Sequence, residues 1–218
     1  MTESLQPTDR TRLRRKPMRG TFERETVNAI LDEAPVCHVA YVVDGQPFVT
    51  PTLHWRDGDT LYVHGSSASR TLRAMAAGTE VCVSVAIIDG FVLARSALHH
   101  SVNYRSVTVF GKATLVEDPE EKASALRQLV EKVAPGRWEE LRPMTGEDMR
   151  GTSVLRLPIA EASAKVRSGG PVDDPEDMDW PVWAGVLPLR MVAGTPIPDE
   201  QMDAGVALPA YLERMRNV

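Results

Sequence analysis

Between Val36 and Ser66, three short apolar runs follow one another with only tight-turn residues between them, and this constrains the fold more than any other feature. Val36-Cys-His-Val-Ala-Tyr-Val-Val43 is largely apolar on both faces, as expected of an interior strand. Asp44-Gly45 signals a hairpin into a strand from Pro47 to Arg56, and Asp57-Gly58-Asp59 turns the chain again into Thr60 to His64. Loops this short join antiparallel neighbours, so the segment predicts a β-meander.

The flanking segments extend that pattern. A helix from Gly20 or Thr21 to about Glu33 would bury the stripe Val27, Ile30, Leu31 and Ala34, and Pro35 ends it. Ser69 to Ala77 reads as a second helix that crosses to a strand over Glu80 to Ile88. A long fifth strand runs from about Val102 to Glu117, with Gly111 marking a bend or bulge. Asp118-Pro119-Glu120-Glu121 then opens a helix with an Asp cap, a Pro in its first position and acids in its first turn. That helix would carry Ala125, Leu129 and Val133 inward and stop before Pro135-Gly136. Thr152 to Ile159 is the sixth strand. Beyond Gly169 the chain is rich in Pro, Gly and Asp, interrupted by the apolar run Trp180 to Leu187. The predicted fold is mainly β, an antiparallel barrel with peripheral helices.

Composition narrows the function classes. The chain has 218 residues, 43% of them hydrophobic and 25% charged, enough for one domain with a real core. A net charge of −5 gives no sign of a nucleic-acid binder. Arg10, Arg12, Arg14, Arg15, Lys16 and Arg19 crowd an N-terminal arm, for which a solvated, partly disordered arm is preferred over a docking role. Cys37 and Cys82, the only cysteines, lie in apolar runs and read as buried, reduced thiols, which fits a cytoplasmic protein. No apolar run approaches the roughly 20 residues of a membrane span, and no apolar h-region follows the basic N-terminus. No membrane association is expected.

Many common site patterns are missing: no G-x-G-x-x-G, no G-K-[ST], no C-x-x-C, no H-E-x-x-H and no G-x-S-x-G. His99-His100 is an adjacent pair whose side chains point apart, and a metal site there would need distant partners. The positive indication is Leu61-Tyr-Val-His-Gly-Ser-Ser-Ala-Ser-Arg-Thr-Leu-Arg-Ala-Met75, a strand, a Gly/Ser loop and a helix start bearing Arg70. Helix-start amides, the positive dipole end, Ser66, Ser67, Ser69 and a guanidinium make an anion site; an ordinary serine-capped helix with a solvated arginine is the alternative. His64 is either a polar lining group beside the anion or a core histidine. In Phe48-Val-Thr-Pro-Thr-Leu-His-Trp55, Pro51 removes a ladder donor, so the strand either presents backbone groups to a flat heterocycle or is a proline-protected edge. Tyr104, Arg105 and Ser106 open a later strand, where Arg105 would be an odd residue in a barrel wall.

Taken in order, Asp44-Gly-Gln-Pro-Phe-Val-Thr-Pro51, Leu61-Tyr-Val-His-Gly65, Ser69-Arg70-x-Leu72, Asn103-Tyr-Arg-Ser-Val107 with Phe110-Gly111, and Lys165-Val-Arg167 followed by Trp183-Ala-Gly185 form a recognisable series. The chain resembles the flavin-binding split-barrel superfamily related to pyridoxamine 5′-phosphate oxidase, and within it the 5-nitroimidazole reductase-like branch. The resemblance implies a six-stranded antiparallel split β-barrel over residues 19–189, a homodimer with FMN at its interface, a basic arm over 1–18 and a tail over 190–218. It implies that Thr50, Pro51, Thr52 and His54 line the isoalloxazine, and that Ser66, Ser69 and Arg70 hold the phosphate with His64 and Gly65 beside them. Tyr104, Arg105 and Ser106 would lie near the ring, Tyr104 and Arg105 as the catalytic pair, with Lys165 and Trp183 approaching from the C-terminal region. The implied activity is FMN-dependent oxidoreduction of a small nitro-aromatic or quinone-like molecule, with the donor open between NADH, NADPH and a partner protein. A flavin-, haem- or deazaflavin-binding carrier or sensor is the alternative. Trp183 is followed by Ala-Gly-Val-Leu-Pro-Leu, without the Arg-x-His signature of the vitamin B6 oxidase, which argues against pyridoxamine phosphate as substrate.

Overall fold

A computed structural model describes residues 4–203 and 205–215. In chain order come β1 (Gly20–Thr21), α1 (Arg24–Glu33), β2 (Val36–Val43), β3 (Gln46–Asp57) and β4 (Thr60–Ser66). Next are α2 (Arg70–Ala76), β5 (Glu80–Leu93), β6 (Ser101–Lys112), β7 (Thr114–Leu115) and α3 (Pro119–Val133). The described chain continues through α4 (Gly146–Gly151), β8 (Thr152–Pro158), β9 (Glu161–Arg167), β10 (Gly185–Pro188) and α5 (Ala210–Met215). The expected meander is present, with β2 paired to β3 and β3 to β4, and every strand pair is antiparallel.

The sheet has ten strands, in the order β1-β9-β6-β5-β2-β3-β4-β8-β7 with β10 on β5, and not the expected six. Two of the extra strands come from chain that changes partners mid-run. At Ala113 the long fifth run leaves β5 for β8, so it divides into β6 and β7. Gly111, just before the break, has φ 155°, and a Cβ there would stand 3.1 Å from Leu157 Cδ1. Across Ile159-Ala160 the chain likewise passes from β4's neighbour, β8, to β6's neighbour, β9. Both breaks are corners of the barrel.

Alternation sorts the side chains into two cores. Cys37, Val39 and Tyr41 of β2, Val81, Val83 and Val85 of β5, and Val107 and Val109 of β6 meet Val27, Ile30 and Leu31 of α1 inside the barrel. The α1 stripe is as expected, although the helix begins at Arg24. Outside β4 and β8, α3 packs Ala125, Leu126 and Leu129 on Trp55, Val116 and Val154. Asp118 caps α3 by accepting from the Glu121 amide at 2.7 Å, as the sequence indicates. Val133, expected inside, is 48% exposed, and Leu126 takes the inward position instead. Each such aliphatic burial contributes about 1.5–3 kcal/mol before conformational entropy is set against it.

The arm is docked on the barrel, although Arg10, Arg12, Arg14, Arg15 and Lys16 keep their side chains exposed. Leu5 is buried, its amide donates to Phe22 O at 2.8 Å, and Thr11 is buried. Arg10 bonds Glu80 at 3.0 Å and Glu161 at 2.5 Å, while Thr8 donates to the same Glu161. Leu5 in the core and these two carboxylates on the barrel wall together fix the arm. At the other terminus, the buried Tyr211 of α5 accepts from Arg137 at 3.0 Å and donates to Glu140 at 2.8 Å.

Candidate functional site

β4 pairs with β3 only over His54 to Asp57, whereas β2 pairs with β3 over Gln46 to Leu53. From Gln46 to Leu53 one edge of β3 therefore has no strand beside it among the described residues. Backbone groups on such an edge are open to a ligand, and Pro51 removes one donor from the strand. Its side chains alternate: Pro51 and Leu53 face outward with His38 and Val36, while Thr50 and Thr52 face inward with Val39 and Cys37.

α2 begins beside this edge. Ser69 caps it by accepting from the Leu72 amide at 3.5 Å, and Ser66 accepts from the Ala68 amide at 3.2 Å. By helix geometry the amides of Arg70 and Thr71 lack partners within the helix. Thr71 is buried and links the helix to the barrel, its hydroxyl 2.9 Å from Thr50 Oγ1 and 3.0 Å from the Tyr41 hydroxyl. The Arg70 guanidinium lies over the Phe48 ring, 4.1 Å from its centroid. Burial would raise the Tyr41 phenol, but the Thr71 hydroxyl and the nearby Arg70 cation outweigh it and lower its pKa. No carboxylate bonds Arg70 among the described residues. Thr50, Gly65, Ser66, Ser69 and Arg70 are thus brought around one helix start, with Tyr41, Phe48 and Thr71 as members that the motif reading missed. The inward alternation of Tyr41 and Thr50 was the available signal for them.

Two histidines leave this set. His54 is fully buried and its Nε2 is 2.9 Å from Leu31 O, so its side chain lines no ligand surface. Both it and Trp55 are enclosed because the end of β3 passes between α1 and the α3 layer. His64 is half-buried, edge-on to Trp55 at 6.0 Å between centroids, and burial lowers its pKa. Its Nδ1 is buried without a hydrogen-bond partner among the described residues, so the backbone carbonyl that would satisfy a core histidine is not found.

Tyr104, Arg105, Ser106 and Lys165 form a second group on β6 and β9. Ser106 pairs with Lys165 in register and donates to its carbonyl at 3.2 Å. Arg105 is no free cation: it bonds Asp89 at 2.7 Å and also both carboxylate oxygens of Glu33 on α1. Glu33 is held below the usual carboxylate range by that bond. The charge expected to act on a flavin ring is therefore already neutralised, and Arg105 ties α1 to the barrel. Trp183 lies apart from both groups, its ring folded over Gly185 of β10 and 66% exposed.

Residues 23–166 match the sequence profile of the pyridoxamine 5′-phosphate oxidase family. The chain belongs to that family. Within it, the flavocytochrome Anf3 of Azotobacter vinelandii is 44% identical, with a TM-score of 0.91 over 96% of this chain and 98% of that one. A FAD- and haem-binding protein of Mycobacterium smegmatis is 38% identical, with a TM-score of 0.87 over 91% of this chain and 97% of that one. A protein assigned to 5-nitroimidazole antibiotic resistance from Bacteroides thetaiotaomicron shares the fold, at 22% identity and a TM-score of 0.57 over 67% of this chain and 86% of that one. None of the curated proteins matches. The oxidase-family profile ends at β9, whereas the first two neighbours extend through nearly the whole chain, so β10 and the C-terminal run belong to a longer shared form. Among the described residues no helix is long and apolar enough to cross a membrane.

Proposed function

We propose that this protein is a flavin- and haem-binding redox protein whose flavin lies along the open edge of β3 with its phosphate at the start of α2. The observation that carries the flavin half is Arg70: a cation braced on Phe48, beside open helix amides, with no carboxylate on it among the described residues. A phosphate would supply the missing negative charge, accepting from the guanidinium, the Arg70 and Thr71 amides and the Ser66 and Ser69 hydroxyls. Among flavins, FAD is favoured over the FMN first expected, because the M. smegmatis neighbour at 38% identity binds FAD. The haem half rests on both near neighbours, a flavocytochrome and a haem-binding protein.

Bound flavin supplies two-electron uptake with one-electron release, and haem iron supplies a one-electron acceptor. The chain's residues bind, orient and screen. Thr71 fixes Thr50 and Tyr41 against the helix start, and Pro51 with its neighbours offers the ring a flat backbone edge. Arg105, held by Glu33 and Asp89, keeps α1 seated in a trio that carries more negative than positive charge. A second copy of the chain, covering the outward apolar residues of β2 and β3, would close the site as a homodimer.

The test is reconstitution of the purified chain with FAD, FMN and ferric haemin, read by absorption and by quenching of flavin fluorescence. We expect both cofactor spectra, tighter binding of FAD than of FMN, and flavin affinity reduced about tenfold or more in Arg70→Ala, the scale of one charge-assisted phosphate contact. Full flavin affinity in Arg70→Ala would sink the phosphate assignment, and a chain that takes no flavin would sink the reading as a whole.

A further inference from the structure

His99 and His100 follow one another at the end of the turn Ala97–His99 between β5 and β6, and they have different partners. His99 Nε2 is 3.0 Å from Asp174 Oδ2, whereas His100 Nδ1 is 2.9 Å from the Ser96 carbonyl oxygen. A carbonyl only accepts, so His100 carries a proton on Nδ1 and, as the neutral imidazole, offers the Nε2 lone pair on the far side of its ring. A histidine anchored through one nitrogen to a backbone carbonyl is oriented to ligate through the other. The turn that carries it is itself pinned, because the amide and Nη1 of Arg95 donate to Asp173 at 2.9 and 2.8 Å.

The strand positions next in register to His100 carry apolar residues. The next residue, Ser101, pairs with Val92, and in the adjoining positions Leu187 pairs with Phe91 and Gly185 with Leu93. Leu98 in the same turn is 84% exposed, and Phe91, Leu187 and Trp183 are exposed too. Exposed aromatic and aliphatic residues in the strand positions adjoining an anchored imidazole suit a flat hydrophobic ligand with a metal centre. A bare ion would need several protein ligands, and among the described residues no three His, Cys, Asp or Glu side chains group to hold one. A porphyrin brings four nitrogens to its iron and asks the protein for as little as one axial ligand.

We propose that His100 Nε2 is the axial ligand of a haem seated on the apolar strip of Phe91, Leu187 and Trp183. The Nε2 lone pair would form the bond to iron while Nδ1 keeps its proton and goes on donating it to Ser96 O, so no proton or electron is transferred on binding. The proposal rests on the haem half of the functional reading. The remaining histidines are less suited: His54 is buried and bonded, His64 is packed on Trp55, His99 is held by Asp174, and the exposed His38 has no hydrogen bond orienting its ring among the described residues.

Full-length protein titrated with ferric haemin, followed by absorption and electron paramagnetic resonance, decides it. Wild type is expected to show a nitrogen-ligated spectrum. His100→Ala should bind haemin at least about tenfold more weakly, the scale of lost metal-site partners, with a shifted Soret band that added imidazole restores. His38→Ala should match wild type, and His100→Ala should bind FAD normally, which shows it folded. Wild-type haem ligation in His100→Ala, or its loss in His38→Ala, overturns the assignment while leaving haem binding standing. If wild type takes no haemin, the haem half of the functional reading falls and this proposal with it.

Discussion

His54 shows how one buried side chain sets a pH dependence for the whole fold. Burial, assisted by the Lys132 ammonium and opposed by the Leu31 carbonyl and Asp32, lowers its pKa from 6.5 to about 4. Between those values the unfolded chain binds the extra proton, so the stabilisation is complete above pH 6.5 and is lost as pH falls towards 4. The size is about 3 kcal/mol by linkage. His54→Gln keeps a donor for Leu31 O but cannot titrate, so urea unfolding of that variant should lose this part of the slope between pH 4 and 6.5. An unchanged slope would place the titration elsewhere. The position of His54 was half legible: alternation along β3 puts it on the inward side with Thr50 and Thr52. Trp55, next to it, is buried as well because α3 covers the other side, and no local pattern announces that.

At the scale of elements, β5 is the strand on which the rest depends. One of its edges pairs with β6 along nearly its whole length; the other pairs with β2 over Val81 to Ser84 and with β10 over Gly90 to Leu93. The register slips between Ile88 and Gly90, which turns Ile88 and Phe91 to the same outward face. β10 comes close enough that a Cβ on Gly90 would stand 2.8 Å from the Leu187 carbonyl and 3.1 Å from Val186 Cγ1. Gly90→Ala must push β10 away, at a cost of about 1–3 kcal/mol. Limited proteolysis should then cut near residues 185–188 with the barrel intact, and resistance equal to wild type would show that the strand accommodates the methyl. The capped start of α3 and the meander were readable because Asp118-Pro119 and Asp44-Gly45 act locally. β9 was missed as a strand because Ala162, Ser163 and Ala164 are buried among neighbours by being small, and small residues give no strand signal. β10 is four residues long and is made by its partner.

For the whole molecule, the outward face of the sheet is the unresolved surface. Val42, Val49, Leu53 and Ile88 are 55%, 63%, 37% and 44% exposed. A groove of about 500 Å³ lies among Val42, Val49, Cys82 and Phe110 on the same side. An apolar face of this extent is what a second copy would cover. Sedimentation should find a dimer, and Val49→Lys should weaken it at least tenfold, about 1.4 kcal/mol, with little change in melting temperature. A monomeric wild type would remove the dimer from the proposed site. The family and the antiparallel barrel were legible in the order of the motifs, but the docked arm was not. Its basic side chains are largely exposed, as read, but Arg10 also reaches Glu80 and Glu161, carboxylates 70 and 151 positions away.

The stretch of β5 between its two partners on one side, residues 85–88, has a consequence for how fast its backbone opens to solvent. Along those residues one edge is laddered to β6 while the other faces no strand among the described residues. Successive amides of a strand point to opposite edges, so in heavy water neighbouring positions should run on different clocks, protected and unprotected in turn. A ligand or partner that seals the notch would slow only the fast set, leaving a print of its position in alternate residues of a single strand.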